Sequence, residues 1–391
     1  MKICVVSRGD IDVISPKEGA AVKLHYTMTS LSFRDNEVYF VNGDDVYYKI
    51  EDGRFHEIKY PWFVRRFMNH KESYRDLVEL LGIPHTFSNL YHPVFNLNLW
   101  LKTLYVTLKE EPDILQAEFP AYSFPALFSK LFTGTDVSTV EHNIEYFQIR
   151  DVAEKLSESA ERAIRFVEKV GCSLSDYVVT VSEEDRNKLE ELDVKSDKVI
   201  PHGVDLERFE RGNGERVRKE LGIQEEEWVF IYHGVLNYRP NREAVLTLVE
   251  DILPEIRQFL EDFKLLVVGG YPPEIDEPEV ITTGFVEDLE DYIDAADIAL
   301  VPLEAGGGTR LKIPEYFAGG VPVITTQKGV EGIEVKDGKH VIISEMDDFS
   351  ENIERLLGDD ELRDEMTGNA SEFIKSYSWD KIGEMYEELY S

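Results

Sequence analysis

Short runs rich in valine and isoleucine recur along the chain, each bounded by turn residues. In the first half they are "KICVVS", "EVYFVN", "DILQAE", "DVSTVE", "DYVVTVS" and "KVIP". The second half repeats the pattern with "WVFIYHG", "KLLVVGG", "EVITTG", "DIALVPL", "VPVITT" and "HVIIS". Most are continuous rather than alternating, which marks strands buried on both faces. Amphipathic segments such as Asp151–Val170 and Asn241–Leu260 lie between them. A strand buried on both faces needs helices above and below it, so the pattern predicts parallel sheets in an α/β fold. Because it occurs twice, it predicts two doubly wound domains facing a cleft. A Pro/Gly turn and a polar stretch place the linker near residues 201–215. The first half also predicts a hairpin turning at Asp52-Gly53.

A length of 391 residues suits two domains, each with its own core. The two cysteines, Cys4 and Cys172, offer no disulfide framework and no zinc spacing, so a reducing, cytoplasmic compartment is expected. The start, "MKICVVSRGD", reads as a first strand and not as a signal peptide. No run of about 18 apolar residues predicts a membrane span. A net charge of −35 repels polyanions, which argues against a nucleic-acid partner.

In doubly wound sheets ligands sit beyond the carboxyl ends of the strands. The stretch "EAGGGTRLKIPEYFAGGVPVITT", Glu304–Thr326, falls at such a place. Gly306, Gly307 and Gly308 let backbone N–H groups approach a ligand closely. A helix starting near Pro314 would turn its free N–H groups toward an anion. Arg310 and Lys312 add positive charge, arginine with a fork suited to phosphate. Glu315 would be repelled by phosphate but suits a vicinal diol, because a carboxylate accepts two hydroxyl hydrogens. Together these residues describe a nucleoside diphosphate site. The bland alternative is a glycine turn followed by a Lys312–Glu315 helix pair.

The same stretch resembles the donor-site motif of family 4 glycosyltransferases, in the variant where "GGTRLK" precedes a ribose-binding glutamate. "TVEHNIEYF" (Thr139–Phe147), "VSEEDRNKL" (Val181–Leu189), "IPHGVDLERF" (Ile200–Phe209) and "YHGVLNYRPNREAV" (Tyr232–Val245) are similar to further family motifs in the same order. In the second of these Ser182 and Asp185 have capping-box spacing. The resemblance implies the GT-B fold, with two Rossmann-like domains and a C-terminal helix crossing back to the first. The expected segments are 1–202, 203–374 and 375–391. It also implies a retaining, metal-independent transfer of a sugar from a nucleoside-diphosphate sugar to a hydroxyl of a glycan, lipid-linked or small-molecule acceptor. No cofactor is expected.

By position, the resemblance assigns ribose to Glu315. It assigns the diphosphate to Arg310, Lys312 and the Gly308–Thr309 backbone, and it places Gly307 in the donor site. Gly234 and Arg239 would join the donor site, Gly284 and Val286 would line the base pocket, and Gly19 and Ala20 would approach the diphosphate and acceptor. His142 would sit at the sugar and the reacting centre. Two positions depart from the family. Gly307 stands where many members carry a sugar-facing glutamate, so that carboxylate is either missing or replaced by Glu304 or by backbone. Val235 stands where many carry an arginine, so Arg310 and Lys312, with help from Arg239, would supply the charge. A nucleotide-sugar epimerase and a non-catalytic nucleotide- or partner-binding subunit are the alternatives on this fold.

Two further segments have competing readings. "GDID" (Gly9–Asp12) contains an Asp-x-Asp, but its place after the first strand does not suit a metal site. The basic, aromatic stretch at residues 61–75 is either an acceptor or inner-membrane-surface contact, through Trp62, Phe63 and Phe67, or a helix packing those rings inward.

Overall fold

The computed structural model describes residues 1–9, 12–14, 16, 19–66, 92–152, 157–306 and 311–391. They form two compact units. One comprises the described residues of Met1–His202 together with Trp379–Ser391; the other comprises those from Gly203 to Ser378.

The first unit carries an eight-stranded sheet ordered β4-β3-β2-β1-β5-β6-β7-β8. Its strands are β1 (Lys2–Val6), β2 (Glu37–Val41), β3 (Val46–Glu51), β4 (Arg54–Lys59), β5 (Ile114–Glu118), β6 (Asp136–Glu141), β7 (Tyr177–Thr180) and β8 (Lys198–Val199). The β2–β3 and β3–β4 pairs are antiparallel and the others parallel. The expected hairpin is present. Asp52 and Gly53 turn it at φ 47° and 72°, the left-handed pair that matches strand twist. Every residue of β5 is buried, as its uninterrupted sequence requires.

Helices are started by the residues that the backbone chemistry favours. Ser157 caps helix Glu158–Ser173 by accepting from the Ala160 amide at 3.2 Å. Ser182 caps helix Glu183–Glu190 through Asp185 N at 3.0 Å, and its hydroxyl donates to Asp185 Oδ2 at 2.6 Å. The C-terminal helix Trp379–Tyr390 packs against helix Gly19–Ser32. Ile382, Tyr386 and Tyr390 enter the core around Val5, Leu24 and Met28. Arg34, in the turn after the first helix, donates to Glu387 at 2.7 Å across that contact.

The second unit carries a wholly parallel sheet, ordered β11-β10-β9-β12-β13-β14. Its strands are β9 (Trp228–His233), β10 (Phe263–Val268), β11 (Val280–Gly284), β12 (Ile298–Val301), β13 (Val323–Thr325) and β14 (Ile342–Ile343). This is the doubly wound Rossmann order, and it reverses direction between β9 and β12. In the first unit the reversal lies between β1 and β5. The amphipathic stretch expected at 241–260 forms helix Arg239–Thr247, a π-turn over Leu248–Ile252 and a short helix Leu253–Ile256. Pro254, which lacks an amide hydrogen, lies just after the π-turn.

Candidate functional site

In each unit the chemistry gathers at the strand ends beside the reversal. In the second unit β9 ends at His233 and turns at Gly234, while β10 ends at Val268 and turns at Gly269. The two turns pack backbone to backbone. A Cβ added to Gly269, at φ 141°, would meet the Gly234 carbonyl oxygen at 1.8 Å. Gly284, at φ 71°, closes β11 and accepts from the Gly269 amide at 3.0 Å.

Helix Lys312–Ala318 is fixed to the end of β9. The His233 amide donates to Tyr316 Oη at 2.9 Å, and the two rings meet edge to face at 4.8 Å. Lys312 is buried. Its Nζ donates to Tyr232 Oη at 2.7 Å and Asn241 Oδ1 at 2.9 Å, and it lies 4.1 Å from the centre of the Tyr232 ring. The positive charge expected at the diphosphate is thus anchored inside the unit. Asn241 also donates to the Val235 carbonyl at 3.0 Å, so one side chain holds both the lysine and the loop after β9.

Glu315 rises from the first turn of the same helix. Its Oε2 lies 3.2 Å from His233 Nε2, without hydrogen-bond alignment. Among the described residues no donor bonds either carboxyl oxygen. Burial pushes the carboxyl up to about 7, and Arg208 and Lys312 offset only part of that. Burial, then the Lys312 charge, push His233 down to about 3, so the imidazole is neutral. The Glu315 side chain keeps 22% of its surface open, enough for a ligand hydroxyl to reach one edge.

In the first unit Lys23, Glu118, His142 and His202 form a second buried cluster. His142 directly follows β6 and Glu118 ends β5. Glu118 Oε2 lies 2.5 Å from Lys23 Nζ and 2.7 Å from His142 Nε2. Phe119 stacks on the His142 ring at 4.1 Å, with 15° between the planes. The His202 ring lies 5.7 Å away. Its Nδ1 is buried without a partner among the described residues.

Other expected site residues are more widely placed. Arg239 begins helix Arg239–Thr247 and donates to Glu243 at 2.7 Å from a largely exposed side chain. Val235 is exposed, and Val286 packs partly against the core beside Gly284. Gly19 and Ala20 open the first helix. Gly307, Gly308, Thr309 and Arg310 lie outside the described residues, as do Phe67 to Arg75. Trp62 and Phe63 are exposed, so these two rings do not pack inward. Among the described residues no group of three or more histidine, cysteine or acidic side chains is placed to hold a metal, and no helix is long and apolar enough to cross a membrane.

His233, Asn241, Lys23 and Glu118 are site residues that no sequence expectation named. His233 and Asn241 stand inside a quoted motif, "YHGVLNYRPN". Glu118 is a charged residue at the end of a strand whose sequence predicts burial, which is the signal that would have found it.

Two family models match. Residues 38–208 match Glycosyltransferase Family 4, and residues 227–359 match Glycosyl transferases group 1. The chain belongs to the family 4 glycosyltransferases. An alpha-monoglucosyldiacylglycerol synthase of Streptococcus pneumoniae is 35% identical over 170 residues, 38% of this family 4 chain and 37% of that protein. A lipopolysaccharide 1,2-N-acetylglucosaminetransferase of Salmonella typhimurium and a D-inositol 3-phosphate glycosyltransferase of Corynebacterium jeikeium, 25% and 27% identical, match over 55% and 51% of their lengths and 49% of this chain. Sucrose-phosphate synthase from Thermosynechococcus elongatus aligns over 100% of this chain and 98% of its own, at 17% identity and a TM-score of 0.71. Anabaena HepE in complex with UDP aligns over 100% of this chain and 99% of its own, at 14% identity and a TM-score of 0.68. Likeness at these identities is a likeness of fold, and the fold is GT-B.

Proposed function

We propose that the protein is a retaining, metal-independent glycosyltransferase that moves a sugar from a nucleoside-diphosphate sugar to an acceptor hydroxyl. The observation that carries this reading is Glu315. A mostly buried carboxyl with no hydrogen-bond donor among the described residues stands beside three glycine turns at the strand ends. A ribose diol would supply two donors to it. Lys312 and the expected Arg310 would stabilise the leaving diphosphate, the task that a metal performs in other enzymes. His142 would face the sugar. The acceptor is a glycan, a lipid-linked saccharide or a small molecule.

HepE binds UDP, so uridine diphosphate sugars head the donor screen, followed by guanosine and adenosine diphosphate sugars. The expected result is release of one nucleoside diphosphate that is faster with an acceptor hydroxyl and unchanged by EDTA. Retention is read from the anomeric configuration of the product. Conversion of donor to a new sugar nucleotide without acceptor would replace this reading with epimerisation. Absence of calorimetric binding to every nucleotide would point to a non-catalytic subunit.

A further inference from the structure

The polar cluster in the first unit has a direction built into it. We infer that Glu118, held by Lys23, is the positioning residue that fixes the tautomer of His142, leaving Nδ1 as a hydrogen-bond acceptor for a sugar hydroxyl. This deepens the proposed function and rests on its placement of His142 at the sugar.

Three distances decide the proton's place. Lys23 Nζ lies 2.5 Å from Glu118 Oε2, His142 Nε2 lies 2.7 Å from the same oxygen, and Lys23 Nζ lies 3.5 Å from His142 Nε2. A carboxylate beside an ammonium accepts and cannot donate. A lone pair on Nε2 would face a lone pair on Glu118 at 2.7 Å. A hydrogen there makes the contact a charge-assisted bond instead. The competing arrangement, in which Lys23 donates to Nε2, would rely on the longest of the three contacts. Neutral imidazole carries one hydrogen, so Nδ1 keeps its lone pair. Among the described residues Nδ1 has no hydrogen-bond partner.

The surroundings hold this geometry. Gln116 donates to the other Glu118 oxygen, Oε1, at 2.5 Å. Tyr390 of the C-terminal helix donates to Gln116 Oε1 at 2.9 Å, and its oxygen lies 2.9 Å from Ser138 Oγ, whose hydroxyl can donate to it. Phe119 takes φ 77° and ψ 148° while stacking on the imidazole, a backbone region nearly confined to glycine. Strain of that kind persists where the surroundings over-determine it, and here it places a flat apolar face on His142. The charged and titratable groups facing His142 are Lys23, Glu118, Arg8 and His202. Burial and the Lys23 charge push the imidazole down to about 4, against the pull of Glu118. At neutral pH it is uncharged, and its tautomer matters.

Long-range proton–nitrogen NMR on the full-length protein with labelled histidine tests this without substrate. The His142 signals are assigned by their loss in His142→Ala. At pH 7 the expected pattern is a protonated Nε2 and a bare Nδ1. A protonated Nδ1 in the wild type would overturn the inference. Glu118→Gln can offer an amide hydrogen to Nε2, so it should shift or mix the tautomer; an unchanged pattern in that variant also overturns it. In the transfer assay Glu118→Gln should lower kcat by about tenfold or more, as loss of an orienting partner does. Lys23→Met should raise the His142 titration midpoint. Wild-type transfer by His142→Ala would remove His142 from the site, yet the tautomer result would stand on its own.

Discussion

Glu315 combines a buried environment with an unmet capacity for hydrogen bonds, and this makes donor binding sensitive to pH. Its carboxyl is pushed up to about 7, so it is largely protonated at pH 6 and largely ionised at pH 8. A diol donates best to the ionised form. Donor affinity should therefore tighten by about tenfold from pH 6 to pH 8, the ratio of the ionised fractions. Glu315→Gln should abolish that component, and the difference between the two proteins cancels the titration of the donor's own phosphates. At pH 8, Glu315→Ala should weaken binding by about 1.5–3 kcal/mol, the cost of a lost hydrogen bond to a charged group. Calorimetric titration with the nucleotide chosen by the donor screen measures both. Wild-type affinity in the alanine variant would remove Glu315 from the donor site.

At the scale of elements, the join between the ends of β9 and β10 is the most demanding place in the second unit. An alanine Cβ at residue 269 would sit 1.8 Å from the Gly234 carbonyl oxygen, at a φ that L-residues rarely adopt. The backbone has to move, and Gly269→Ala should cost about 3 kcal/mol, the upper end for overpacking. The next residue supplies the control. A Cβ at Gly270 meets nothing within 4 Å, and Gly270→Ala should stay within about 0.5 kcal/mol of wild type. Urea unfolding can be followed through Trp228, the one tryptophan between residues 203 and 378. Equal midpoints for the two variants would refute the close approach. These strands were legible in the sequence because burial on both faces leaves continuous apolar runs. The hairpin was legible because Asp52-Gly53 suits a left-handed turn. The carboxyl-end placement of Glu315 and His142 followed from the same pattern. The partnerships were not legible. Asn241 reaches Lys312 across 71 residues, and Lys23 reaches Glu118 across 95. Nothing local in sequence encodes a contact that depends on which strand lies beside which. The π-turn at 248–252 was hidden as well, because an amphipathic pattern continues through it.

For the molecule as a whole, the buried titratable groups set a pH profile that the net charge of −35 does not. Glu141, Glu145 and Glu168 lie buried together, each with one oxygen lacking a partner among the described residues. Burial holds Glu141 and Glu168 well above the usual carboxylate range, and it lifts Glu145 to about 7. The folded chain therefore keeps protons that the unfolded chain releases near pH 4.5, and these groups cost stability as pH rises. Three histidines pull the other way. Burial lowers His142 to about 4, His233 to about 3 and His202 well below its usual value, so the unfolded chain binds protons there below about pH 6.5. Between about pH 5 and 6.5 the two sets oppose each other and stability should be nearly level. Above 6.5 the unfolded histidines lose their remaining protons, the exposed carboxylates are already ionised, and the opposition to the buried acids fades. Stability of the first unit should then fall from pH 6.5 to 8. The surface repulsion that salt screens is constant across this window, so added salt should shift the curve without changing its slope. Glu168→Gln replaces a protonated acid with a neutral amide whose oxygen can still accept from the Glu145 amide, a bond of 2.8 Å in the wild type. It should make the slope shallower, by up to about 1.4 kcal/mol per pH unit, the weight of one retained proton. Urea unfolding at pH 6.5, 7.25 and 8 measures that slope. A Glu168→Gln curve as steep as the wild type would mean that the Glu168 carboxyl is ionised in the folded protein.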